Sequence, residues 1–93
     1  MDELPLLSDI EIHRRLGALP GWQRHGDAIR RTFTFAGFPE AVEFVRTLVA
    51  PAEAMGHHPD VDVRYDRVIV TLSTHDAGGI TDADLTLAGR IVG

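Results

Sequence analysis

The sequence predicts an α+β fold, a four-stranded antiparallel sheet with three helices on one face in the order α-β-β-α-β-β-α. Two stretches alternate apolar and polar residues about a short turn, the pattern of a β-hairpin with one buried face. Three other stretches repeat apolar residues at helical spacing, and two of them open on a capping box. Hairpins with helices interposed argue an antiparallel sheet that packs its helices on one side.

Ser8-Asp9-Ile10-Glu11 is the first capping box, with Leu7 and Ile12 as its hydrophobic staple. The helix it starts should bury Ile12, Leu16 and Leu19 and stop near Pro20-Gly21. Trp22 to Phe35 reads as a hairpin turning at His25-Gly26-Asp27, with Ile29, Phe33 and Phe35 alternating toward a core and Trp22 in that core or at its edge. Gly37-Phe38-Pro39 opens the second helix, with the proline at a tolerated first-turn position. Its apolar stripe runs Ala41, Val45, Leu48, Ala52, Met55, and Phe44 and Val49 widen it, so this helix should pack on more than one side. Pro51 falls inside the stripe, where a proline costs roughly 3 kcal/mol. The periodicity continues past it, so the expectation is a kink rather than an end. Val61, Val63 and Tyr65, then Val68, Val70 and Leu72, form the second hairpin, turning near Asp66. Gly78-Gly79 breaks the chain, and Thr81-Asp82-Ala83-Asp84 caps the last helix with Ile80 and Leu85 as staple and Leu87, Ala88 and Ile91 as buried stripe.

A chain of 93 residues, 44% of them apolar, supports one domain over residues 1–93 with a modest core. No window approaches the roughly 20 apolar residues of a membrane span. Met1-Asp2-Glu3-Leu4-Pro5 lacks the basic region and apolar run of a secretory signal, so no membrane partner is expected. The absence of cysteine removes disulfides and thiolate metal sites and fits a reducing cytoplasm. A net charge of −5 argues against a general nucleic-acid surface. Arg14-Arg15 and Arg30-Arg31 read as local solvated pairs, and His13 and His25 as surface histidines.

The chemistry gathers elsewhere. Glu53 and His57 stand four residues apart, so on a helix they share a face. His58 follows where Pro59 forces the chain out of helix. The return strand of the second hairpin delivers Ser73, Thr74 and His75 beside the start of its partner. His57, His58 and His75 should therefore line one pocket, with Glu53 beside His57. Histidine titrates near neutrality, and such a set can take a proton from one atom of a ligand and give one to another. Ser73 and Thr74 suit hydrogen bonds to a polar ligand.

Plainer readings compete with this one. A histidine near a helix C-terminus interacts well with the helix dipole and needs no further role. His57, His75 and Asp60 or Asp62 would offer two histidines and a carboxylate to zinc or iron. Adjacent residues rarely both ligate one ion, however, and no His-Glu-x-x-His spacing occurs, so no metal is expected. Asp84 is explained by helix capping alone, since a carboxylate in the first turn is stabilising. The exposed sheet edge and the wide stripe of the second helix also suit a non-catalytic binding or oligomerisation module.

Glu53, then His57-His58-Pro59, Tyr65, His75 and Asp84, with gaps of three, five, nine and eight residues, resembles the signature of the pterin-4a-carbinolamine dehydratases. Gly21-Trp22, Phe33, Phe35, Phe38, Ala41, Phe44, Ser73-Thr74-His75 and Gly79-Ile80-Thr81 extend the likeness over most of the chain. The resemblance implies a sheet of four antiparallel strands with three helices on one side. It implies dehydration of 4a-hydroxytetrahydrobiopterin to quinonoid dihydropterin and water, in tetrahydrobiopterin recycling, without metal or organic cofactor. His57, His75 and Glu53 would then be catalytic, and His58, Pro59, Ser73, Thr74 and Asp84 would bind the pterin. The expected partners are that small molecule and further copies of the chain, as a homodimer or a dimer of dimers. Two residues depart from the pattern. Gly56 replaces an acidic residue common in animal relatives, and Pro51 falls in the helix that packs against symmetry mates in family tetramers. Animal members also act as dimerisation cofactors of a homeodomain transcription factor, a role that nothing in this sequence carries over.

Overall fold

Two hairpins supply the sheet. In the computed structural model, which describes residues 4–92, β1 (Gln23–His25) pairs antiparallel with β2 (Ala28–Thr34) across Gly26-Asp27. The second hairpin joins β3 (Asp60–Arg64) to β4 (Arg67–Leu72) across Tyr65-Asp66. β2 and β4 then pair in the middle, from Ile29 with Leu72 to Thr34 with Arg67, giving the order β1-β2-β4-β3. Met1-Asp2-Glu3, part of the stretch read for a secretory signal, and Gly93 lie outside the described residues.

Strand alternation decides which face is buried. Ile29 and Phe33 of β2 and Val68, Val70 and Leu72 of β4 point to one side and are buried, whereas Arg30, Thr32, Thr34 and Arg67 on the other side are exposed. Ile12, Ala41, Phe44, Leu48, Leu85 and Leu87 from the helices complete the core over that single face. Trp22 joins it, edge-on to Phe33 at 6.3 Å. The fold is the α+β arrangement expected, with helices and hairpins in the expected order.

Three details differ from the sequence reading. First, α1 (Asp9–Leu16) ends at Gly17, three residues before Pro20-Gly21. Its capping box is half made: Ser8 accepts from the Glu11 amide, but the Glu11 carboxylate turns outward to Arg14. Second, the long helix is two segments, α2 (Phe38–Thr47) and α3 (Val49–Met55), separated at Leu48. Leu48 keeps helical dihedrals and its amide bonds Val45 O, three residues back. Pro51 has no N–H to offer the carbonyl of Thr47, so the ladder lapses one turn before the proline. Third, a short 3₁₀ turn (His75–Ala77) follows β4 before α4 (Asp82–Arg90). Among the described residues, no helix is long and apolar enough to cross a membrane.

Candidate active site

The end of α3 and the end of β4 are neighbours because Asp60 pairs with Thr71. The residues just before Asp60 and just after Leu72 must therefore meet, and they are His57-His58-Pro59 and Ser73-Thr74-His75. A cavity of about 220 Å³ lies between them, lined by Gly56, His57, His58, Ser73, Thr74, His75 and Asp76.

The route into this cavity is set at Gly56. Its φ of 61° is left-handed, a conformation glycine adopts without the steric cost of a Cβ. The His57 amide closes back on Ala52 O at 3.0 Å, so α3 ends in a Schellman-type turn. Beyond that turn His57 is no longer on the helix, and the four-residue spacing to Glu53 has lost its meaning. This corrects the expectation that Glu53 stands beside His57. His57 Nε2 lies 2.6 Å from Asp84 Oδ1, while Glu53 Oε2 lies 2.6 Å from His58 Nε2.

These two pairs differ in kind. The His57 side chain is 14% exposed and that of Asp84 is 0% exposed. Asp84 Oδ2 accepts from the Thr81 amide at 2.9 Å and from Thr74 Oγ1 at 2.8 Å. Thr74 Oγ1 also lies 2.7 Å from Thr81 Oγ1, which accepts from the Ala83 amide. The His58–Glu53 pair is 66% exposed on both sides and lies in high dielectric, where such pairs contribute little. Asp84, expected to bind ligand, is thus sealed behind His57 and reaches no cavity surface.

The other expected residues divide between two places. Ser73 lines the cavity and donates to Asp27 O at 2.7 Å, so its oxygen is left to accept from a ligand. His75 is exposed at the start of the 3₁₀ turn. Glu53 and Pro59 lie instead along a second, apolar hollow of about 210 Å³ with Val45, Leu48, Val49, Ala52 and Val61, and His58 borders both spaces. Asp76 lines the first cavity and was not anticipated; its one sequence signal is adjacency to His75. Asp60 and Asp62 belong to the sheet face opposite the helices, with Asp62 held by Arg64 at 3.1 Å. Among the described residues, no group of three or more His, Asp or Glu side chains could hold a metal ion.

The arrangement is suited to moving protons: three imidazoles on one small polar cavity, one of them, His57, backed by a buried carboxylate. A family model described as Pterin 4 alpha carbinolamine dehydratase matches residues 5–92. The chain is 54% identical over 86 residues to a protein of Roseiflexus castenholzii, covering 92% of each, and 48% identical over 88 residues to one of Mycobacteroides abscessus, covering 95% of this chain and 94% of the other. Both carry the name "Putative pterin-4-alpha-carbinolamine dehydratase". A crystal structure of a transcriptional coactivator/pterin dehydratase from Brucella melitensis superposes with a TM-score of 0.87 at 38% identity, over 92% of this chain and 94% of that one. A pterin dehydratase-like RuBisCO assembly factor of the alpha-carboxysome shares the fold, with a TM-score of 0.59 at 24% identity over 75% of this chain and 81% of that one.

Proposed function

The chain belongs to the pterin 4 alpha carbinolamine dehydratase family, and from that premise we propose that it dehydrates a 4a-hydroxytetrahydropterin to the quinonoid dihydropterin in tetrahydrobiopterin recycling. The reaction removes hydroxide from C4a and a proton from a ring nitrogen. The electron pair left on nitrogen forms the new double bond to C4a, and the hydroxide leaves as water once protonated. One group must give a proton and another must take one, and His57 and His75 are our pair. His58 and Ser73 hold the pterin from the cavity wall. The observation that supports this most is the meeting of His57 and His75 on one cavity from separate elements, with a buried carboxylate behind His57.

The test is the ultraviolet spectrum of freshly generated carbinolamine, followed with and without protein and corrected for spontaneous loss of water. His57→Ala and His75→Ala should each lower kcat by about 10²–10⁴-fold. The double variant should lose less than the product, because groups acting as a unit are not additive. His58→Ala should raise KM with a smaller effect on kcat. A turnover defect in His58→Ala, with the other two near wild type, would reverse the roles.

A non-catalytic binding module is the second reading. It draws on the edge of β3, unpaired among the described residues, and the apolar hollow beside it, and the Brucella melitensis relative is itself described as a transcriptional coactivator as well as a dehydratase. Wild-type protein that leaves the carbinolamine decay unchanged would favour the module.

A further inference from the structure

The hydrogen bonds around Asp84 have only one consistent direction. Asp84 Oδ2 receives the Thr81 backbone N–H at 2.9 Å, a donor that cannot act as an acceptor. Thr74 gives its one proton to the same oxygen at 2.8 Å. The 2.7 Å contact between Thr74 Oγ1 and Thr81 Oγ1 must therefore use the Thr81 proton, and a lone pair of Thr81 Oγ1 takes the Ala83 N–H. Each proton in the chain is used once. What remains is Asp84 Oδ1, 2.6 Å from His57 Nε2. A carboxylate with two donors already on it, at the positive end of α4, acts as the acceptor in that contact as well.

We propose that Asp84 fixes His57 with a proton on Nε2, so that Nδ1 is the atom presented to the ligand, and that Thr74 and Thr81 hold Asp84 to this task as positioning residues. Nδ1 makes no hydrogen bond to any described residue, and Trp22 Nε1 is the one buried side-chain nitrogen or oxygen among them without a partner. Nδ1 is therefore open to the cavity that His57 lines. Nε2 keeps its proton in both charge states of the ring. In the proton transfers of the dehydratase reading, on which the catalytic half of this inference rests, the exchangeable proton of His57 sits on Nδ1.

Asp84→Asn gives a sharp test, because asparagine keeps the shape and changes the donors. The fixed Thr81 amide and the Thr74 hydroxyl claim its oxygen, which turns the NH₂ toward His57 Nε2. Only a ring with its proton on Nδ1 can accept there. Long-range ¹H–¹⁵N spectra of labelled protein report the tautomer directly at pH about 8.5, roughly two units above an ordinary histidine pKa, with His57 assigned by its loss in His57→Gln. Wild type should show the Nε2–H form and Asp84→Asn the Nδ1–H form. Turnover of Asp84→Asn should fall about 10²–10⁴-fold with KM little changed, since the cavity wall is untouched. A wild-type ring in the Nδ1–H form, or a tautomer unaltered in Asp84→Asn, overturns the inference and leaves the dehydratase reading standing. If Asp84→Asn does not fold, the wild-type spectrum decides alone. Inversion of the tautomer in a protein that never accelerates dehydration supports the assignment and sinks the dehydratase reading instead.

Discussion

Thr74 has a single proton to give, and it gives it to a buried carboxylate. Thr74→Val removes that donor and also strips Thr81 Oγ1 of its acceptor, leaving two buried polar groups short of a partner. Each such loss costs about 1–3 kcal/mol, so chemical denaturation should find Thr74→Val less stable by about 2–6 kcal/mol. Thr74→Ser, which keeps the hydroxyl, should recover most of it; equal stability of the two variants would mean the network is not formed. The histidines were legible in the sequence because a two-residue hairpin turn ties the start of one strand to the end of the next. The carboxylate behind His57 was not. Glu53 is four residues away and Asp84 is 27, and local spacing favours the near candidate until the conformation of Gly56 is known. The capping pattern located Asp84 at the start of a helix but carried no information about what that helix start touches.

Gly56 and Pro51 act on whole elements. A Cβ built at Gly56 meets nothing within 4 Å, so the obstacle to substitution is the backbone alone. A left-handed residue other than glycine costs about 1–2 kcal/mol, with Asn and Asp the most tolerant. Gly56→Val should thus lower stability by about that range and impair turnover further by displacing both His57 and His58, whereas Gly56→Asn should be mild on both counts. Thermal unfolding together with the carbinolamine assay separates the two effects, and equal tolerance of Val and Asn would show that α3 does not need its left-handed end. The break in the long helix was legible only in part. Proline announces a missing bond, but the bond it lacks belongs to Thr47, so the interruption falls upstream of the residue that causes it.

At the scale of the molecule, the sheet ends in β3, whose backbone has no partner on its outer side among the described residues. Val61 and Val63 on that strand are 37% exposed, and Val49 on the neighbouring helix is 58% exposed. An unpaired edge beside exposed apolar side chains is a surface that pairing with another copy would cover. We expect a homodimer or a dimer of dimers in light scattering at micromolar concentration, and Val49→Glu should shift that population toward monomer; a monodisperse wild-type monomer would count against it. The fold itself was legible because caps, strand alternation and helical stripes all pointed to the same architecture. The covering of the polar network was not, since it comes from a segment with no periodic signal. Leu6 forms an antiparallel bridge with Thr81, the Leu7 amide donates to Ile80 O at 3.0 Å, and Leu6 packs on Gly79. The consequence is one of solvent exchange. The Thr81 and Asp84 amides should acquire deuterium no faster than that N-terminal strap lifts, so a fusion or deletion reaching Leu6 would be felt as faster labelling of α4 before any loss of fold.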